Sequence, residues 1–518
     1  MQTAKQKLKR AAPWLFLLLV LAGLAAVRGL AANYEIGYEI MNGDFQNYNP
    51  VRHLLAGQVP YRDFTVYLGA GELYSVGGLL LVLGNSFGRS MFATNFCTWF
   101  YFELLVLAVC LVVIGTARAA RAAALALCSV FFAYVQGANL PFAGQVNTLL
   151  SYAAANGNSA RMMRSAALTL AVLVILLGLH FWQQDTSRRL LAPAVLVPFA
   201  AGFFVPWSND MGGAAYISIA LGYGLYLIRL YRSSIGKIVV QTLRYIVTSV
   251  VGLGVSVLLI SWGHPLAWLR QTRGTSAYQT WYYGNTLSDR VCSVADLHWP
   301  GAAVFCLAAA LAFAIGIFVC RSKRSAVLAA GGFALTLGMV LWNLLYGMVS
   351  ASNNGPTGGA AALAAVLAPA CIIKAVLLVC QKVSFPQVAA RIVPAGCAVL
   401  GAAVLAVGMA GQVQTRIGGH EGYTFVPELG GSSPRCSMAR ATRSPAGIPQ
   451  NPLPCSAVRS APQLRGHKVQ IISCGCQNPG PGRQPSSGGD TGRYTCRWRP
   501  APPVRPPLPH GHFRRNGR

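Results

Sequence analysis

"APWLFLLLVLAGLAAVRGLAA" (residues 12–32) decides how the rest of the chain is read. It stays apolar for about 20 residues, the length a helix needs to cross ~30 Å of hydrocarbon. The basic "MQTAKQKLKR" precedes it. A cleaved signal peptide has the same order of features. The run is long, however, and Arg28 interrupts its far end, so it is read as a retained first helix with its basic end in the cytoplasm. Comparable runs recur near 70–86, 91–115, 121–138, 165–182, 190–206, 211–230, 242–262, 300–320, 325–348, 359–381 and 392–411. The chain is 54% hydrophobic and 11% charged, whereas soluble domains carry roughly 25% charged residues. A soluble reading would need many long helices without a polar face. The expected fold is an all-α polytopic transmembrane helical bundle of about 11–12 spans, with outward-facing interfacial helices in its first outer loop.

The net charge of +29 lies partly in short loops, "RLYRSSIGK" (229–237), "RSKR" (321–324) and 382–391. That is the pattern of cytoplasmic loops, with 263–299 and 349–358 facing outward. Upstream, the outward stretch 33–69 and the inward loop 229–244 need an odd number of crossings between them, and six runs lie there. A re-entrant element, two short runs forming one broken element, or a partial crossing within 141–160 would restore parity. No basic domain with interleaved aromatics carries the charge, so nucleic acid is not an expected partner. Most cysteines sit singly in apolar runs, where Cys packs as a small hydrophobe, and "CGC" (474–476) lacks a second ligand pair at zinc spacing.

After "GYTFVPELGG" (422–431) the composition changes to Arg, Pro, Ser and Gly with no apolar periodicity. Residues 1–431 are read as the transmembrane domain. Residues 432–518 are read as a low-complexity basic tail, either disordered or the product of a frameshift in a GC-rich gene.

The chemistry-bearing stretch is "GDFQNYNPVRHLLAGQVPYRDF" (43–64). Glu35, Glu39, Asp44, Asp63 and Glu72 are five of the thirteen acids in the chain. "FQNYNPVRHLLAGQ" has the apolar spacing of a short interfacial helix ending at Gly57, with Asp44 just before it as a cap, base or ligand. An ordinary solvated loop with interfacial tyrosines is the plain alternative. Asp210 in "PWSNDMGG" (206–213) is costly between apolar runs unless it is paired or faces a cavity, and is expected to line the same cavity as Asp44. "AGQVNTLLSY" (143–152) is a weaker polar spot, and Glu103 is intramembrane and should have a partner or line a cavity. The loop 263–299 carries His264, Arg270, Arg273 and Asp289 among Trp and Tyr, which suits a lipid-phosphate mouth or a plain interfacial helix.

The pattern "GD…Y…VRHLLAGQVPYRDF…Y…GELYSVGGLLLVLGNS", followed by an apolar helix, resembles the first outer loop and second helix of the GT-C glycosyltransferases. That superfamily includes protein mannosyltransferases and bacterial aminoarabinose transferases. The likeness covers about residues 13–115 and continues as general architecture. It implies a polyprenyl-phosphate-linked sugar as donor, a membrane lipid environment and an extracytoplasmic acceptor such as a cell-envelope glycan, lipid or protein. It implies a site facing away from the cytoplasm in the cell (inner or plasma) membrane. Asp44 matches the family's catalytic Asp, and Pro60, Tyr61, Arg62 and Asp63 match its "PY.D" element. Asp44 and Asp63 are thus the catalytic candidates. Arg52, Tyr61, Arg62, Asp210, Arg270 and Arg273 are the substrate-binding candidates, and a divalent cation is the candidate cofactor. Phe45 stands where many relatives carry a second acid, and "GAGELY" where many carry Pro-Pro.

Glycosyl transfer from a phosphate leaving group needs a base for the acceptor hydroxyl and cations for the departing phosphate. Asp44 suits the first role, and Arg52 and Arg62 the second. The rival readings are an envelope-lipid transporter or flippase and a non-catalytic polyprenyl-lipid-binding protein. A transporter would more often show broken helices related by an internal repeat.

Overall fold

A computed structural model describes residues 4–32, 41–135, 140–142, 144–146, 149–150, 161–184, 192–283, 300–349, 357–382, 395–396 and 399–407. All lie in the compact unit Met1–Ala439. The tail expected at 432–518 falls outside the described residues. Among those described the chain is all-α, a polytopic helical bundle without strands, and its one isolated bridge joins Pro60 and Phe64.

The helices are α1 (Ala4–Ala32), α2 (Met41–Leu55), α3 (Ala70–Leu83), α4 (Phe87–Ile114), α5 (Ala117–Val135) and α6 (Arg161–Gln184). An interrupted segment follows: a π turn (Ala192–Leu196), α7 (Val197–Phe203) and a 3-10 turn (Val205–Trp207). Then come α8 (Met211–Tyr231), α9 (Ile235–Ile260), α10 (Pro265–Tyr283), α11 (Pro300–Val319), α12 (Lys323–Val349) and α13 (Thr357–Lys382). Eight of these are long and apolar enough to cross a membrane, and 70–83, 163–178 and 194–207 are shorter apolar helices. The outer faces are apolar too. Val239, Val240, Leu243, Val247 and Val250 of α9 are all exposed, as are Leu311 and Ile315 of α11. Contiguous surface of this kind suits lipid and not water.

The bundle has two chemically distinct ends. At the basic end, cations meet the last carbonyls of helices, where the helix dipole favours them. Arg324 Nη2 donates to Gly115 O at 3.2 Å and Lys374 Nζ to Ile114 O at 2.9 Å. Arg229 donates to Cys320 O, and the Arg121 guanidinium lies 4.8 Å over the Trp14 ring. The other end carries the loop between α2 and α3, the turn before α8 and the start of α10.

Tracing the chain between these ends settles the parity. α4 runs from the loop end to Gly115 at the basic end. The chain is back at the loop end by Arg164, which meets Asp210. α6 descends past Gly338 and Gly331 through Leu168 and Val172. The chain has returned by Trp207, and α8 descends to Arg229. That makes five passes, an odd number. α3 is the exception among the expected spans. Gly69 at its start abuts Trp207 and Ser208, and Gly84 at its end leads straight into the Ser86 cap of α4. Both ends of α3 therefore lie at the loop end. Its 14 residues give about 21 Å, short of ~30 Å of hydrocarbon. Of the alternatives open in the sequence, a re-entrant element fits. The 28 residues of α4 reach about 42 Å, so its first turns have length to spare and pack against α2 and α3. Ser75 and Tyr101 hydroxyls bond at 2.6 Å, and Ala93 and Cys97 join a second small core with Val51, Tyr61, Val66, Leu73, Val76 and Leu80.

With accessible native thiols replaced by serine, Asn85→Cys should label from the same side as Gln58→Cys, and Ser233→Cys from the opposite side. Labelling of Asn85→Cys together with Ser233→Cys would make α3 a crossing helix.

Candidate functional site at the loop end

The site is built from the loop that follows α2. α2 begins at Met41, so Asp44 lies inside its first turn and not before it. An acid there complements the helix dipole; its side chain lies outside the described residues. The helix closes as the sequence predicts. Gly57 is left-handed at φ 79°, its N–H bonds Leu54 O at 3.0 Å, and the Gln58 N–H reaches His53 O at 3.1 Å. This is the Schellman pattern, which satisfies carbonyls the helix end would strand. Arg52 is exposed on the last turn.

"VPYRDF" then forms a tight turn. Asp63 N–H donates to Val59 O at 2.9 Å, and Val59 N–H donates to Asp63 Oδ2 at 2.8 Å. Tyr61 is held at φ 67°, an uncommon conformation for an aromatic residue, and its ring is buried. The Arg62 fork grips Asp63, with Nε to Oδ1 at 2.8 Å and Nη2 to Oδ2 at 3.0 Å. Those hydrogen bonds, reinforced by the Val59 N–H, pull the Asp63 carboxyl down to about 2. A depressed carboxyl contributes above the ordinary carboxylate range and is lost only as pH falls through that value, so the fork persists in mild acid. The free edge of the guanidinium places Nη1 3.3 Å from His264 Nε2, at the start of α10. His53 stacks on Phe64 with centroids 5.5 Å apart.

Two straps fix the return segment. Asn209 Nδ2 donates to Tyr67 O at 2.7 Å, and Gln271 Nε2 donates to Val66 O at 3.0 Å. Arg270 and Arg273 lie on the same helix as Gln271 and are exposed. Tyr74 OH ties α3 to the end of α9 through Ile260 O at 2.7 Å.

Beneath the straps lies a part-buried ion pair. Arg164 Nη1 and Asp210 Oδ2 are 2.9 Å apart. Asp210 Oδ1 also accepts from Ser208 Oγ at 2.6 Å and from Met211 N–H at 2.9 Å, so the carboxylate caps α8 as well. Burial pushes its carboxyl up, but the Arg164 charge and the Ser208 and Arg164 hydrogen bonds outweigh that and hold it below the ordinary value. Glu72, in the first turn of α3, is 5% exposed and within electrostatic reach of Arg164.

The structure thus joins Tyr61, Arg62 and Asp63 in one turn, brings Arg62 to His264, and connects the Asp210 turn to the same loop through Asn209. The sequence reading passed over Arg164, Asn209, Gln271 and Trp207 and gave Glu72 no role. Arg164 alone carried a signal, a cation at the head of an apolar run. Among the described residues no three His, Cys, Asp or Glu gather as metal ligands. Compared with known proteins, the chain has no significant match to a family model, a curated protein or a solved structure.

Arg164→Gln strands a largely buried carboxylate and should cost up to about 3–5 kcal/mol, read as a lower melting temperature in detergent, while Arg62→Gln at the exposed pair should change little. In α3 a Cβ at Gly71 would strike the Trp207 indole, whereas Gly78 faces open space. Gly71→Ala should therefore destabilise by about 1–3 kcal/mol, and Gly78→Ala should stabilise by up to about 1 kcal/mol. Equal effects in the two glycine variants would contradict this packing.

Proposed function

We propose that this chain is a membrane-embedded glycosyltransferase of the GT-C kind. It moves a sugar from a polyprenyl-phosphate donor to an acceptor outside the cytoplasm. The basic end faces the cytoplasm, as the distribution of Lys and Arg favours, and the loop end faces outward in the cell membrane.

The observation that carries the reading is the convergence at one end of the bundle. The "PYRD" turn, the 207–210 turn and the start of α10 meet there, with Arg62 braced by Asp63 and facing His264. In this account Arg62, with Arg52 nearby in sequence, contacts the departing phosphate, for which a guanidinium fork is suited. Asp63, held so far below neutrality, is a weak base and acts as the positioning group for Arg62. Asp44 takes the acceptor's proton or orients its hydroxyl. Arg270 and Arg273 extend the cationic rim toward lipid phosphate.

A second reading, an envelope-lipid transporter, draws on the half-length α3 and the interrupted segment 192–207 meeting at the same end, since broken elements line transport sites.

Asp44→Asn separates the two. Transfer from polyprenyl-phosphate donors should fall by about 10²–10⁴ while insertion and donor binding persist. Arg62→Lys should also lower transfer, because a phosphate fork loses its bidentate geometry. An Asp44→Asn protein that turns over donor at the wild-type rate would sink the catalytic assignment, and lipid movement without turnover would establish the transporter.

A further inference from the structure

We propose that Glu72, together with Trp207 and the Arg164–Asp210 pair, forms the subsite that takes the hydroxyl groups of the transferred sugar, an assignment that rests on the glycosyltransferase reading. Glu72 is 5% exposed, yet its Oε1 has no hydrogen-bond partner among the described residues. Leaving such an oxygen unsatisfied is costly. The Trp207 indole N–H is likewise buried and without a partner among the described residues. The Trp207 indole borders the start of α3, the turn that carries Glu72. Gly71, adjacent to Glu72, has no Cβ, and the space a Cβ would fill is occupied by the Trp207 indole nitrogen.

An unsatisfied acceptor and an unsatisfied donor at the start of α3 fit a ligand whose groups donate and accept at once. A hydroxyl does both. A phosphate fits poorly. It cannot donate to Glu72 when ionised, and the Arg164 guanidinium is already neutralised by Asp210 at 2.9 Å. The Asp210 side chain keeps 23% of its surface exposed, so the Asp210 side of the cluster opens to solvent. Trp207 adds an aromatic face for the C–H side of a sugar ring. The phosphate of the donor then sits toward Arg62 and the sugar toward Glu72.

The test uses the full-length protein in nanodiscs, with tryptophan fluorescence titrations of undecaprenyl phosphate alone and of undecaprenyl phosphate carrying mannose, glucose or arabinose. The wild type should bind at least one sugar-bearing lipid more tightly than the bare lipid. Glu72→Gln should weaken that lipid about tenfold or more and leave the bare lipid unchanged, which also reports that the variant folds. Trp207→Phe, which keeps a ring but loses the N–H, should show the same selective loss. If Glu72→Gln binds all lipids normally, or weakens bare and sugar-bearing lipids equally, the subsite is overturned. Donor turnover by the wild type would then leave the glycosyltransferase reading standing. If the wild type neither prefers nor turns over any sugar-bearing lipid, both fall together.

Discussion

A guanidinium and a carboxylate 2.9 Å apart organise the polar end of this bundle. Neither Arg164 nor Asp210 would be stable alone among apolar helices, since an unpaired buried charge costs several kcal/mol. Paired, they do more than neutralise each other. Asp210 caps α8 and accepts from Ser208, which ties the turn from Trp207 to Asp210 to the start of α8. That turn presents Asn209 to the backbone of Tyr67, and Trp207 to the start of α3. The loop carrying Arg62 and Asp63 is therefore held by an interaction buried one layer below it.

Close approach of backbone makes the arrangement possible. Gly69 and Gly71 let α3 begin directly on the 207–208 turn, and Gly202 and Gly252 let α7 and α9 cross with backbone touching backbone. A side chain at any of the four would push the elements apart. α3 can be short because it never has to reach the basic end. Its apolar residues fill the small core under the loop, with Tyr61 and Val66 above and Ala93 and Cys97 of α4 beside it. The same 14 residues that read as a membrane span serve as the floor of the site.

Much of this was legible in the sequence. Long apolar runs mark helices by length alone, and the stop at Gly57 follows from the left-handed conformation glycine tolerates. The "PYRD" element stood out in the sequence only through its resemblance to a family motif. What stayed hidden depended on tertiary contact. Nothing in "GAGELYSVGGLLLVLG" distinguishes a re-entrant helix from a crossing one, because both are apolar all round. Asn209 and Gln271 look like ordinary polar residues until the backbone carbonyls they reach are known. Arg164 and Asp210 are 46 positions apart, and no periodicity links them. The helix start at Met41, ahead of "GD", moved Asp44 from a capping position into the first turn.

The account makes the Arg164–Asp210 pair the anchor of the loop end, and the coupling between the two residues is the quantity that measures it. A double-mutant cycle with Arg164→Gln, Asp210→Asn and the double variant, scored by unfolding free energy in one detergent, isolates that term. The account predicts a favourable coupling of about 1.5 kcal/mol or more, with the double variant more stable than additivity allows. Additivity within about 0.3–0.5 kcal/mol, the range for independent sites, would contradict it.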